Sequence, residues 1–178
     1  FENDKLTVET IPLLQKIPCS GFLFREKTKP RRINKEILPE GLPLHQIAGL
    51  KKGLNITDDQ GNILYKNEDL TMAPRRSRTY AYCSDTGFNE GMIPLIRNVD
   101  ILYHEATFTT DEQVRALETM HCTARQAAMT ARQAGAGKLI IGHFSARYKE
   151  LEPLLAEARE VFPQTDVAME GKTFSIAD

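Results

Sequence analysis

Short apolar runs separated by turn residues recur along this chain, and they predict strands of a sheet. Residues 6–11 and 21–24 predict the first two strands, with Pro12 and Pro18 ending them. A third short strand is predicted at 63–65, after a polar turn. The first part of the chain therefore begins a sheet but shows little helical periodicity.

The second half alternates strands with helices. Thr123 is a predicted N-cap and Gly135 a predicted C-cap around an alanine-rich helix, and Pro153 lies in the first turn of another. Apolar runs predict strands at 79–83, 99–103 and 138–142. This alternation is typical of an α/β or layered α/β/α domain.

Two connections are less regular. A helical connector beginning near Asn89 or Pro94 is predicted between strands 79–83 and 99–103. The C-terminal segment TDVAMEGKTFSIA predicts two short strands that form a hairpin around Glu170 and Gly171.

Composition narrows the functional classes. The 178 residues include 23 Lys and Arg against 24 Asp and Glu, so the whole chain has no charge excess that favours nucleic acid or membrane. Three scattered cysteines are neither a disulfide framework nor a zinc knuckle, which favours a reducing cytoplasm. No apolar run is long enough for a membrane span.

Charge is nevertheless concentrated locally. Six basic residues lie between Arg25 and Lys35, and a Pro- and Gly-containing stretch without clear periodicity follows. This pattern predicts a protruding arm.

Polar residues follow three of the predicted strands: Asp85, His104 and His143. Side chains at strand ends can converge on one cleft, so the pattern favours a metal-dependent hydrolytic site. Alternatives remain for each residue. Asp85 could simply cap a helix, and Glu105 could be a salt-bridged carboxylate. His121 could mark the approach to a helix, and Arg147 could be a surface residue.

Taken together, the ordered segments YCSDT, YHEATF, MHCTARQAA and LIIGHFSARY resemble the ribonuclease Z family, the tRNA 3′-processing endonucleases of the metallo-β-lactamase superfamily. The resemblance runs from about Leu6 to the end of the chain. It implies a four-layer αββα fold, of which this chain would supply about the C-terminal half plus a protruding arm.

The resemblance also implies residue roles. Asp85 would bridge two zinc ions and His143 would bind the second zinc. His104 would protonate the leaving 3′-oxygen as general acid, with Glu105 orienting it. The residues implied around the substrate phosphate are His121, Thr123, Ser145 and Arg147.

The resemblance further implies a domain plan. Residues 1–24 would be strands of the β-lactamase-type domain, 25–55 a flexible basic arm that binds tRNA, and 56–178 the rest of that domain. An arm that contacts the RNA backbone suits a substrate recognised by shape. The basic residues expected to contact tRNA are Lys27, Lys29, Arg31, Arg32, Lys35, Lys51 and Lys52.

The chain departs from the family pattern in its histidines. The signature His-x-His-x-Asp-His, which supplies most zinc ligands, is absent, and the chain begins at Phe1 without Met. We therefore expect the C-terminal half of a longer protein, inactive alone and holding little or no zinc. Cys122 also replaces the middle serine of the family's His-Ser-Thr segment, and Gly41-Leu42-Pro43 replaces the usual Gly-Pro run of the arm.

The leading hypothesis is thus a zinc-dependent endoribonuclease that removes the 3′ trailer from precursor tRNA. We expect a cytoplasmic homodimer with no membrane partner. Two alternatives stay open: another superfamily hydrolase, acting on an aryl sulfate or cyclic-nucleotide ester, and a non-catalytic RNA-binding fragment.

Overall fold

The computed structural model describes residues 1–176, which form two compact units. The first, here called the sheet unit, contains Phe1–Glu26 and the described residues from Arg78 to Ile176. The second, here called the basic unit, contains Lys27–Ser77. Among residues 1–176, no helix is long and apolar enough to cross a membrane.

The sheet unit is built on a six-stranded mixed sheet. Its strands, numbered along the whole chain, are β1 (Leu6–Leu13), β2 (Cys19–Glu26), β7 (Thr79–Cys83), β8 (Ile101–Glu105), β9 (Lys138–Gly142) and β10 (Thr165–Val167). Their order across the sheet is β1-β2-β7-β8-β9-β10. The first three pair antiparallel, whereas β7, β8, β9 and β10 are parallel neighbours. The carboxyl ends of β7, β8 and β9 therefore lie at one edge.

One face of the sheet is covered by helices. They are α4 (Ala124–Ala134) and α5 (Glu152–Val161); the short helix α3 (Gln113–Thr119) precedes α4 and has only Ala116 buried. In α4 the predicted N-cap Thr123 forms a capping box with the Gln126 side chain, and Gly135 ends the helix in the left-handed conformation. The alanine face of α4 is buried, because small side chains let the helix approach the sheet closely.

The opposite face of the sheet carries aromatic residues. Phe24 stacks on Tyr80 with ring centroids 5.6 Å apart, and Tyr82 stacks on Tyr103 at 4.7 Å. Tyr82 and the neighbouring Phe22 are exposed. Alternation along the strands puts these rings on one face and the helix-covered core residues on the other.

The basic unit has its own small core around Leu50, Ile56 and Leu70. Its elements are β3 (Arg32–Ile33), α1 (Leu44–Lys51), β4 (Ile56–Thr57), β5 (Ile63–Tyr65), α2 (Asn67–Leu70) and β6 (Thr71–Met72). The buried Asn67 amide donates to the carbonyls of Leu50 and Leu54, which ties α2 to the end of α1.

The strands and main helices predicted from sequence are confirmed, with four differences, one of which is that β8 covers Ile101–Glu105 and not 99–103. β1 continues through Pro12 to Leu13, which an edge strand tolerates because one side of it needs no ladder hydrogen bonds. The predicted helical connector is only a 3₁₀ turn at Glu90–Met92, capped by Asn89, followed by further turns. The predicted hairpin is wrong: β10 pairs parallel with β9, and residues up to Ile176 form no second strand.

Candidate metal centre

The parallel register of β7, β8 and β9 brings the predicted strand-end residues to one edge of the sheet. Cys83, His104 and Ile141 are aligned across the three strands, and Glu105 is opposite Gly142. The loops that follow these strands therefore begin side by side. The segment that leads into α4 lies at the same edge, since Phe108 bridges to Thr123.

A buried carboxylate, that of Glu105, joins these loops. Its side chain is 0% exposed and accepts five hydrogen bonds at 2.7–3.1 Å. The donors are the backbone N–H groups of Thr86, Thr107 and Cys122, the Thr107 hydroxyl and Nδ1 of His121. A buried charge is stable only with such a full set of partners. Glu105 thus holds together the three segments that form the site.

Two imidazoles lie above this anchor. His121 Nδ1 is 2.7 Å from Glu105 Oε1 and 3.6 Å from Asp85 Oδ1. The His143 ring is 5.2 Å from the His121 ring, and Nδ1 of His143 is 3.0 Å from the Thr107 hydroxyl. Potential ligand atoms of Glu105, His121 and His143 all lie within 4.8 Å of one another.

Backbone strain is concentrated at this edge. Asp85, Met120 and His143 adopt left-handed φ angles of 62°, 59° and 59°, a region that side-chain-bearing residues seldom occupy. Such conformations persist where surrounding contacts impose them, and they are common at functional sites. Asp85 and His143 were both predicted metal ligands, and Met120 directly precedes His121.

The donors fit one divalent metal ion such as zinc. Imidazole nitrogens and carboxylate oxygens are zinc's usual partners; His143 offers an imidazole beside the His121 ring, and the partly exposed Asp85 lies 3.6 Å from Nδ1 of His121. Glu105 fits less well as a ligand, because its five hydrogen bonds already use both oxygens. A two-zinc site requires more donors than these residues supply.

The predicted general acid, His104, lies elsewhere. Its side chain is 0% exposed, and its Nδ1 contacts the Glu105 carbonyl oxygen at 2.7 Å. Its Nε2 has no hydrogen-bond partner among the described residues, and burial lowers the pKa of the ring. The general-acid role of His104 stays a prediction, and this burial favours a structural role instead.

Of the four residues predicted to contact the substrate phosphate, only His121 belongs to the metal-ligand cluster. Thr123 is only 2% exposed and caps α4. Ser145 donates its backbone N–H to the Thr107 carbonyl. Arg147 forms an ion pair with Glu112, and its guanidinium carbon lies 5.3 Å from the Phe108 ring centroid. Their contact with phosphate stays a prediction.

Two site residues were missed by the sequence analysis. Gln15 donates from Nε2 to Asp85 Oδ1 at 2.7 Å and to the Met120 carbonyl at 3.3 Å, so it ties two strained positions together. No local pattern marks this glutamine, which follows an edge strand. Thr107, by contrast, lies within the YHEATF segment and was identifiable as part of that motif.

The predicted tRNA-contacting residues all lie in the basic unit. Residues 27–77 contain ten Lys and Arg against six Asp and Glu, whereas the whole chain has a net charge of -1. Positive charge is therefore segregated into this unit. The division of the chain into compact units places residues 56–77 with the basic segment.

Comparisons with known proteins agree with this geometry. A β-lactamase superfamily domain family matches residues 68–144. The chain is 50% identical to ribonuclease Z of Cytophaga hutchinsonii over 178 residues, and 43% identical to that of Parabacteroides distasonis over 177. These matches include 100% and 99% of this chain, but only 57% and 58% of the lengths of the two relatives.

Solved structures show the fold. A metallo-β-lactamase fold protein of Bacillus subtilis superposes with a TM-score of 0.64 at 17% identity, covering 98% of this chain and 52% of the other. The short form of human tRNase Z superposes with 0.57 at 20% identity, covering 100% of this chain and 46% of the other. The chain is a relative of ribonuclease Z that carries part of a metallo-β-lactamase fold.

Proposed function

We propose that this chain supplies part of the active site and the RNA-binding surface of a zinc-dependent endoribonuclease that removes the 3′ trailer from precursor tRNA in the cytoplasm. The observation that carries the proposal is the grouping of His121 and His143 around the buried Glu105, with Asp85 beside His121, in a chain 50% identical to a ribonuclease Z. The human neighbour named tRNase Z is consistent with a tRNA substrate.

Asp85 and His143 would hold metal at this edge. Zinc, when bound, would polarise the scissile phosphate and lower the pKa of a water molecule for attack. Thr107 contributes by contacting Nδ1 of His143, which leaves Nε2 as the ring atom that faces outward for a ligand.

His121 is placed better than His104 to handle the proton of the leaving oxygen. The Glu105 carboxylate accepts from Nδ1 of His121, which orients the ring. The ring is partly exposed, at 19%, so its Nε2 can reach a substrate, whereas the His104 ring is enclosed. We therefore assign proton donation to His121.

The basic unit would bind the tRNA backbone through its Lys and Arg side chains. Its ten basic residues against six acidic residues give it a local positive charge that suits phosphate contacts. A homodimer would add a second copy of this surface. RNA binding without cleavage, the second candidate function, rests on this same charge.

A chimera tests the proposal. The chain replaces the matching segment of the Cytophaga hutchinsonii ribonuclease Z, and cleavage of a precursor tRNA with a 3′ trailer is measured. We expect cleavage and bound zinc in the chimera, and loss of cleavage in its His121→Ala variant. His45→Ala, at an exposed position of the basic unit, is the matched control and should leave cleavage unchanged.

Several outcomes would contradict parts of this assignment. An active His121→Ala chimera would remove the proton-transfer role. A chimera that folds and binds zinc but does not cleave would refute the nuclease proposal. If such a chimera still binds tRNA, with affinity that falls steeply as salt rises, the RNA-binding alternative stands.

A further inference from the structure

An apolar cavity of about 420 Å³ opens beside the candidate metal centre. Its walls include Leu14, Phe88, Val114, Leu117, Met120 and His121. Its volume lies within the range of about 300–1,000 Å³ that is usual for small-ligand sites. Since His121 lines the cavity and also belongs to the metal-ligand cluster, a ligand in the cavity would extend directly from the centre.

Backbone contacts connect two segments that line the cavity. Gly87 donates its N–H to the Leu14 carbonyl at 2.8 Å. A Cβ at Gly87 would lie 3.4 Å from Leu14 Cδ2 and 3.6 Å from Met120 Cα, which are ordinary contact distances. Gly87 therefore lies between the Leu14 and Met120 walls of the cavity.

The chemistry of the walls indicates an uncharged, flat occupant. His121 is the only ionisable residue among the described lining residues, so a phosphate inside the cavity would find no fixed positive charge. Phe88 supplies an aromatic surface, and Leu117 and Val114 are 80% and 73% exposed on the α3 side. Stacking and apolar contact are what such a surface offers a heterocycle.

Two amides supply hydrogen bonds at the same cavity. Gln113 and Gln126 both line it. The Oε1 atom of Gln126 accepts from the Thr123 N–H at 2.9 Å, which makes its Nε2 the donor end for a ligand. Amide side chains beside an aromatic wall match the edge and face of a nucleobase.

We propose that this cavity binds the nucleobase of a nucleotide flanking the scissile phosphate, and so contributes to substrate selection. The inference rests on the proposed endoribonuclease function, which places an RNA phosphate at His121. The base of the nucleotide that carries this phosphate enters the cavity, while the phosphate itself stays at the metal centre. Specificity at this position comes from stacking and from the two glutamine amides.

The test uses the metal-free chain and mononucleotides, which contain no bond to cleave. Backbone amide NMR spectra are recorded while adenosine 5′-monophosphate, cytidine 5′-monophosphate or ribose 5-phosphate is added. Both nucleotides should shift the signals of Gly87, Phe88 and α3 in a saturable manner, whereas ribose 5-phosphate should not.

Variants locate the site. Leu117→Asp places a charge at an exposed wall position, so it should fold normally and weaken nucleotide binding about tenfold, because a hydrated carboxylate replaces an apolar contact with the base. Ile17→Asp, at a residue that is 71% exposed and does not line the cavity, is the control and should leave binding unchanged.

Three results would overturn the proposal. Equal shifts with ribose 5-phosphate would indicate phosphate binding, and unchanged affinity in Leu117→Asp would place the nucleotide elsewhere. If light scattering shows that Leu117→Asp converts a dimer to a monomer, and no nucleotide binds to either, the cavity is an interface between copies. Mononucleotide binding together with an inactive chimera would refute the nuclease function alone.

Discussion

Replacing Glu105 with Gln tests whether this buried carboxylate holds the site together. The substitution keeps the shape of the side chain but replaces one oxygen with an N–H₂ donor. In the native protein, Oε1 of Glu105 accepts from Thr86 N–H and His121 Nδ1. Its Oε2 accepts from the N–H and hydroxyl of Thr107 and from Cys122 N–H. Either orientation of the amide therefore points hydrogens at donors.

The least costly arrangement can be worked out from these contacts. The amide oxygen would keep the three donors of the Oε2 side, and the new N–H₂ would face Thr86 and His121. His121 can shift its proton to Nε2 and accept at Nδ1, but the buried Thr86 N–H loses its acceptor, at about 1–3 kcal/mol. The three remaining hydrogen bonds also lose their charge assistance. We expect a total loss of about 2–5 kcal/mol, a large share of the roughly 5–15 kcal/mol that stabilises a domain.

Urea denaturation followed by circular dichroism measures this loss. The matched control is Glu157→Gln, because Glu157 accepts backbone N–H groups of Thr110 and Arg125 near the surface, where water can replace them. It should cost less than about 1 kcal/mol. A Glu105→Gln variant as stable as the wild type, or less affected than Glu157→Gln, would refute the anchoring role.

Three other measurements test the remaining structure. Gly142→Ala should destabilise the chain by about 1–3 kcal/mol in urea denaturation, because the added Cβ collides with the Tyr103 hydroxyl. Adding Tyr103→Leu should restore part of the lost stability. A Gly142→Ala variant as stable as the wild type would contradict this packing. The hydrogen bond from Lys138 lowers the pKa of Asp166. The stabilisation from this hydrogen bond should be present above the unfolded-state pKa, near 3.8, and disappear as the pH falls through the lower folded-state value. Asp166→Asn should flatten that part of the plot of stability against pH, and an unchanged plot would contradict the contact. Iodoacetamide at pH 8 should modify native Cys19 first, since burial holds the pKa of the other two thiols far above that pH; mass spectrometry that finds equal labelling of all three would refute this.

Local signals were sufficient for most elements of the sheet unit. The capping residues Thr123 and Gly135 set the ends of α4 within one residue, because capping depends on neighbouring backbone groups. The C-terminal hairpin failed because the sequence supplies a turn but not the partner of a strand. β10 instead completes the parallel series beside β9.

The metal centre also separates what local sequence signals predict from what depends on tertiary packing. That Asp85 and His143 follow strands was readable from the sequence, and parallel pairing then brought their loops together. His104 was predicted at the end of a strand 99–103, but β8 runs to Glu105. Because side chains alternate along a strand, those two extra residues place the His104 ring inside the core.

The sequence by itself determined the strand and helix order, the basic segment and the motif residues of the site, because these depend on short-range patterns. Only the tertiary structure decided which residues meet. Gln15 reaches Asp85 across 70 positions of the chain, and Glu105 collects donors from three separate segments. Such contacts arise from sheet register and loop packing, and no local spacing encodes them.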